Sequence, residues 1–364
     1  MKENTVLGRE EQAAVRLRSL YQTYGYLRYK MSKFEEYDFY AGNKDFLVSE
    51  GVITFTDTNG KLMALKPDVT LSIIKNSRSQ PGGVQKVYYQ ENVYRISNGT
   101  HCFKEIMQTG LECIGDVGLY DICEVVQLAA ASLQTVSENW TLALSHMGIV
   151  SGLMQRFGIN GALRQKLMGC LHRKNGQEIR SCCAELDNGA GELFSELCGL
   201  YVPLCEGIAR LRQLCPEETA AIDELQAICE TMGSCDSVYL DFSIVGSMEY
   251  YSGIAFNGFV EGLPGSVLSG GAYDNLMKKM GKTGGGVGFA VYLDQLERYG
   301  REEKPYDVDV LLLYGSDARP ADVAEAVRKL TAEGERVLAQ RVIPEHLRYR
   351  CGLQLCGKDV TALG

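Results

Sequence analysis

Several things are scarce in this chain of 364 residues, and each scarcity removes a class of function. There are four histidines, His101, His146, His172 and His346, none beside a matched nucleophile motif, so no catalytic triad is read. Apolar runs such as Val310–Tyr314 are far too short to span a bilayer. The start, MKENTVLGREEQ, is charged and has no apolar core of signal-peptide length, so a cytoplasmic protein without membrane contact is expected. Cys-x-x-Cys spacing is missing although there are thirteen cysteines, an odd number. That argues against a disulfide framework or a structural zinc site, and for reduced thiols that fill space in a core. Basic residues are outnumbered, 37 Lys and Arg against 46 Asp and Glu, for a net charge of −9. The basic stretch Arg341–Arg350 is short and interrupted, so a nucleic-acid surface is not expected. No internal repeat or low-complexity tract occurs.

Two phosphate motifs also fail. Gly281-Lys282-Thr283 would need a glycine at position 276, which is leucine. Thr283-Gly284-Gly285-Gly286 resembles a phosphoribosyl-pyrophosphate loop, but Lys278, Lys279 and Lys282 stand where an acidic pair belongs.

What is present is ordinary globular material, 45% hydrophobic and 23% charged, with length for two or three domains. Ala13, Leu17, Leu20, Tyr21 and Tyr24 have helical spacing, and Gly25 supplies a stop. Thr58-Asn59-Gly60 predicts a turn between strands Val52–Phe55 and Leu62–Leu65. Pro67 ends that strand, and Asp68 or Thr70 can cap a helix at Leu71–Lys75. Asp121 opens another helix; residues 150–235 read as almost wholly helical, with Pro203 and Pro216 as punctuation. Strands return at Ser237–Ser243, Gly253–Val260 and Gly286–Ala290. After a charged linker, Arg301–Pro305, the pattern is strand Val308–Tyr314, helix Pro320–Leu330, then short strands near Val337 and Leu353.

The most informative stretch is Lys86–Glu112, read as two strands joined by a turn. Alternation puts Gln108, Gly110 and Glu112 on one face, with no side chain between amide and carboxylate. Arg95 adds a fixed positive charge near the end of the preceding strand. Carboxylate, amide and guanidinium around a gap suit a zwitterion such as a free amino acid. A solvated outer face of an antiparallel sheet gives the same pattern.

Four motifs in order resemble the histidyl-tRNA synthetase core, a class II synthetase fold: Leu65–Thr70, the Arg95–Glu112 hairpin, Glu249–Gly253 and Ser269–Asp274. The resemblance covers roughly residues 8–300. It implies an α+β core, an antiparallel sheet flanked by helices, with a helical insertion at about 150–235. Residues 306–364 resemble a truncated anticodon-binding α/β domain, too short to read tRNA. Carried over residue by residue, a histidine pocket is implied: Asp68, Thr70, Gln108 and Glu112 around the ammonium, Arg95 on the carboxylate side, and Tyr251, beside Tyr250, facing the imidazole. Singly, Asp68 and Thr70 also read as helix caps and the tyrosines as core. In a strand, only one of the adjacent pair can face the pocket.

The departures fall on the nucleotide side. Gly246–Glu249 lacks the arginine that acts on the α-phosphate, and Ala272 replaces the arginine of Gly-Gly-Arg-Tyr-Asp. Leu293-Asp294-Gln295-Leu296 lacks the final Glu-Arg pair, Ser97 replaces a carboxylate, Ser32 a proline, and the loop Thr100–Ile106 is rewritten. This pattern is similar to the regulatory subunits of ATP phosphoribosyltransferase in histidine biosynthesis, synthetase-like proteins without aminoacylation. That likeness implies no catalytic residues, metal or cofactor, and histidine as ligand. The implied partner is a short-form catalytic subunit, met by a homodimer within a hetero-oligomer. A divergent, active synthetase and a paralogue with an altered ligand are the rival expectations.

Overall fold

The computed structural model describes residues 8–43, 47, 51–78, 82–97, 102–186, 189–233, 236–245, 250–297 and 305–363. Glu249, the rest of Gly246–Glu249, Thr100, His101 and the linker residues 301–304 lie outside them.

The larger of two compact units spans Gly8–Tyr299. It begins α1 (Arg9–Thr23), β1 (Leu27–Arg28), β2 (Phe34–Glu36), α2 (Tyr37–Ala41), β3 (Thr54–Thr56), β4 (Leu62–Leu65), α3 (Thr70–Asn76), β5 (Val84–Ile96), β6 (Phe103–Gly115) and α4 (Leu119–Val136). It continues with β7 (Trp140–His146), α5 (Met147–Arg156), α6 (Gly161–His172), α7 (Gly176–Cys183), α8 (Ala190–Gly199), β8 (Tyr201–Pro203), α9 (Leu204–Leu214) and α10 (Thr219–Met232). β9 (Val238–Asp241), β10 (Ile254–Val260), β11 (Leu268–Ala272), α11 (Asp274–Lys279), β12 (Gly285–Tyr292) and α12 (Leu293–Glu297) complete it.

Nine strands form one sheet in the order β1-β5-β6-β12-β11-β10-β7-β9-β8. The run from β5 to β7 is antiparallel throughout, while β1 joins β5, and β9 joins β7, in parallel. The fold is thus α+β, with a mixed sheet rather than the wholly antiparallel one that the resemblance implies. β2, β4 and β3 make a small second sheet.

Period-two alternation decides what each face of the central hairpin meets. Tyr88, Leu111 and Cys113 point into the main core with α1 and α4, whose buried stripes include Leu17, Tyr21, Val125 and Ala129. Val87, Tyr89 and Ile114 point the other way, into a second core with Ile73, Ile74, Leu276 and Met277. The β5–β6 register is unbroken from Val84↔Gly115 to Ile96↔Phe103, so it fixes which β6 residues share the second face.

Among the described residues of 150–235 the regular elements are helices except β8, where Tyr201–Pro203 adds an edge strand to β9. Pro203 is the N-cap of α9, a position where its missing N–H costs nothing. His146 ends β7: its Nδ1 accepts from the Gly148 N–H at 3.1 Å, and Nε2 lies 3.2 Å from Glu224. The smaller unit, described over 305–363, contains β13 (Val308–Tyr314), α13 (Pro320–Ala332), β14 (Val337–Gln340), β15 (Tyr349–Cys356) and β16 (Asp359–Ala362). Its sheet order is β14-β13-β15-β16, over a small core of Leu312, Ala326 and Leu355. Among the described residues no helix is long and apolar enough to cross a membrane.

Candidate functional site

A cavity of about 410 Å³ opens on the second face of the large sheet, and Asp68, Thr70, Arg95, Gln108, Glu112, Tyr250 and Tyr251 all line it. Pro67 and α3 bring in the first two. Asp68, one residue before the Val69 N-cap, accepts through Oδ1 from the Leu71 N–H in the first turn of α3 at 2.8 Å, and it also lines the cavity. Thr70 does not cap; its hydroxyl donates to Glu112 Oε1 at 2.6 Å. Arg95 donates through Nε to the Pro67 carbonyl at 3.0 Å, which anchors a cation at one end.

The floor is built by β6 and β12. Glu112 pairs with Gly288 across the strands, and a β-carbon on that glycine would collide with the carboxylate. Glu112 therefore lies over bare backbone. Its other oxygen, Oε2, accepts from the Tyr273 hydroxyl at 2.5 Å. Gly110 leaves no empty gap, because it pairs with Tyr89, whose phenol occupies that space. A β-carbon on Gly110 would sit 2.6 Å from Tyr89 Oη and collide with the Phe289 carbonyl. Gly110→Ala is expected to lower stability by about 1–3 kcal/mol through overpacking, read from the urea midpoint at unchanged slope.

Tyr250 and Tyr251 correct the sequence reading. They lie before β10, outside a regular strand, so alternation does not separate them. Both rings reach the cavity, edge to face with centroids 4.8 Å apart. Tyr89, Tyr273, Tyr292 and Ser269 also line it and were missed. Tyr273 sits within the Ser269–Asp274 motif and so left a signal, whereas Tyr89 is revealed by its register with Gly110.

Burial sets the electrostatics. Desolvation raises the Glu112 carboxyl to about 8; the Thr70 and Tyr273 hydroxyls hold it down, and neighbouring Asp68 pushes it further up. Asp68 is raised by burial too, opposed by the Leu71 N–H and by Arg95. The Gln108 side-chain amide is buried, and its Nε2 has no hydrogen-bond partner among the described residues. Such a donor is costly unless something in the cavity accepts from it. Among the described lining residues Arg95 is the one cation, against two acids and several phenols. The cavity suits a small molecule with an ammonium, an acceptor and a planar ring. Its described lining offers a triphosphate a single cation.

The family model described as histidyl-tRNA synthetase matches residues 5–296. The chain belongs to the histidyl-tRNA synthetase family. Its similarity to individual members of this family is lower but long. It is 24% identical over 359 residues to an ATP phosphoribosyltransferase regulatory subunit of Ruminiclostridium cellulolyticum, covering 94% of this chain and 86% of that protein. It is 27% identical over 318 residues to one of Clostridium kluyveri, covering 82% and 81%. A Bacillus halodurans structure described as an ATP phosphoribosyltransferase regulatory subunit/histidyl-tRNA synthetase superposes with TM-score 0.77 at 24% identity, covering 95% of this chain and 93% of that one. One chain of the Thermotoga maritima ATP phosphoribosyl transferase complex superposes with TM-score 0.61 at 19% identity, covering 78% and 97%.

Against this family fold the substituted positions can be located. Ala272 ends β11, buried in the main core, and Gln295 lies on α12. Ser97 follows β5, where its N–H meets the Cys102 carbonyl at 2.9 Å.

Proposed function

We propose that this chain is a non-catalytic regulatory subunit of ATP phosphoribosyltransferase, which binds histidine in the β6–β12 cavity and conveys feedback to a short catalytic subunit. The reading is supported by the names of the relatives and by one observation above all. The described lining holds two buried acids and an amide donor with no described partner, which suit an amino acid, yet a single cation toward phosphate. In this reading Glu112 and Asp68 take the ammonium, Gln108 donates to the ligand, Arg95 meets its carboxylate, and the tyrosines enclose the imidazole. Charge-assisted contacts of about 1.5–3 kcal/mol each would suffice for micromolar affinity. The smaller unit is assigned as a shortened relative of the anticodon-binding module.

Feedback is a matter of linkage: histidine must favour one state of the complex, with a coupling of about 1–3 kcal/mol. The test is to assay a short catalytic subunit with and without this chain. Histidine should inhibit only the mixture, and Arg95→Met should shift that inhibition to higher histidine while leaving complex formation on a sizing column intact. Equal histidine inhibition of the catalytic subunit alone would remove the regulatory role. An active synthetase is the rival that the family match itself keeps in view.

A further inference from the structure

Far along the chain from the cavity residues, the helical segment assembles a cluster that no sequence motif announced. Cys170 on α6 and Glu178 and Cys182 on α7 place two thiols and a carboxylate oxygen within 4.8 Å of one another. Glu178 and Cys182 are one helical turn apart, so they share a face of α7. Cys170 reaches them because α6 and α7 are joined by only Arg173–Asn175 and fold back on each other. The intervals of eight and four residues resemble no zinc motif, which is why spacing alone argued against a site.

We propose that Cys170, Glu178 and Cys182 form a binding site for a zinc-class divalent cation. Thiolate and carboxylate are ligands of that ion, at about 2.3 and 2.0–2.2 Å, and three protein ligands leave a fourth position for water. A tetrahedron of those lengths needs ligand atoms roughly 3.5–3.8 Å apart, so the trio closes by about an ångström or less. Cys170 is buried while Glu178 and Cys182 are partly exposed, so the ion would have an inner anchor and an entry path. The surroundings resemble those of a ligand set. Asn175 donates from Nδ2 to Glu178 Oε2 at 3.0 Å, orienting the carboxylate. Lys166 lies against Cys182, and the Arg173 guanidinium is 3.5 Å from Glu178 and 3.9 Å from Cys170. Binding would release both thiol protons to solvent and leave no redox change.

The test uses the full-length protein, reduced and stripped with chelator, titrated with Co²⁺ and then Zn²⁺. One equivalent of Co²⁺ should give thiolate-to-metal charge-transfer absorption with tetrahedral visible bands, and Zn²⁺ should bleach both. Cys182→Ser, at a partly exposed position, should lose the charge-transfer band and weaken Zn²⁺ at least about 100-fold in competition with a chromophoric chelator. Glu178→Gln should weaken it about tenfold or more, and Cys205→Ser with Cys356→Ser should change nothing. Thermal melting with Zn²⁺ should rise for the wild type and not for Cys182→Ser, which also shows that the variant folds. A charge-transfer band that survives Cys182→Ser, a missing band, or a Cys170–Cys182 disulfide formed without Co²⁺ uptake would each overturn the assignment.

Discussion

Glu112→Gln stabilises the unliganded protein above neutral pH and, on the proposed function, weakens histidine by roughly 10–150-fold. The two effects have one cause. Burial holds the Glu112 carboxyl near 8 in the folded chain, against 4.5 when unperturbed. Between those values the folded state binds the extra proton, so stability falls as pH rises from about 4.5 through 8, and the full cost is present above 8. Below 4.5 the group contributes nothing. Glutamine keeps the shape, never ionises, and still accepts from one of the Thr70 and Tyr273 hydroxyls; the other hydroxyl can turn and accept from its amide. At pH 8.5 the gain is on the order of 2–4 kcal/mol, a shift in thermal midpoint of several degrees. The variant and wild type converge near pH 4.5. The same carboxylate, once an ammonium is beside it, makes a charge-assisted contact worth about 1.5–3 kcal/mol, which sets the loss of affinity. Wild-type histidine affinity therefore climbs between pH 6 and 8 as a proton leaves Glu112. Melting curves and calorimetric titrations at three pH values measure both arms. Parallel pH profiles for variant and wild type would mean that Glu112 is not the buried acid described here.

Much of this candidate site is legible in the sequence, because period-two alternation is a strong constraint on a half-buried hairpin. Gln108 and Glu112 fell on one face of β6 for that reason alone. Two kinds of residue escaped. Tyr89 enters from the neighbouring strand, and only the register Tyr89↔Gly110 reveals that it fills the gap above the glycine. Tyr273 arrives from 161 residues away to hold Glu112, a contact of tertiary origin. Tyr250 and Tyr251 are both named from the sequence, and the strand rule that lets only one of them face the pocket fails because their segment is not a strand. The fold shows the same division. α1, α3, α4 and β13 carry periodic apolar side chains and were legible. β11 reads Leu-Ser-Gly-Gly-Ala, which lacks strand propensity, and pairs because β10 and β12 flank it on both sides. β8 and β16 are short edge strands whose identity comes from their neighbours.

Pyrophosphate exchange with histidine and ATP is expected at background, with an adenylation rate at least about 10⁴-fold below that of an active family member. Adenylate formation places developing negative charge on the α-phosphate, and preorganised cations are what stabilise it; losing one donor costs roughly 10²–10³ in rate. In this chain Ala272 stands where the family motif has arginine, Gln295 lies in the segment that lacks the Glu-Arg pair, and the third substituted segment falls at positions 246–249. Losses within one constellation are not additive, so 10⁴ is a floor taken well below their product. The remaining cation among the described lining residues, Arg95, is tied by its Nε to the Pro67 carbonyl and balances Asp68, which leaves it poorly placed to serve a phosphate as well. Restoring one arginine is not expected to rescue exchange. Ala272 is 6% exposed and packed in the main core, so Ala272→Arg forces a long charged side chain into a filled site and costs about 1–3 kcal/mol or more in stability. Exchange measured with radiolabelled pyrophosphate, beside a histidine titration on the same preparation, separates the readings. Saturable histidine binding without exchange fits a regulatory subunit, whereas exchange at a synthetase-like rate would make this chain an enzyme that has found another way to hold its nucleotide.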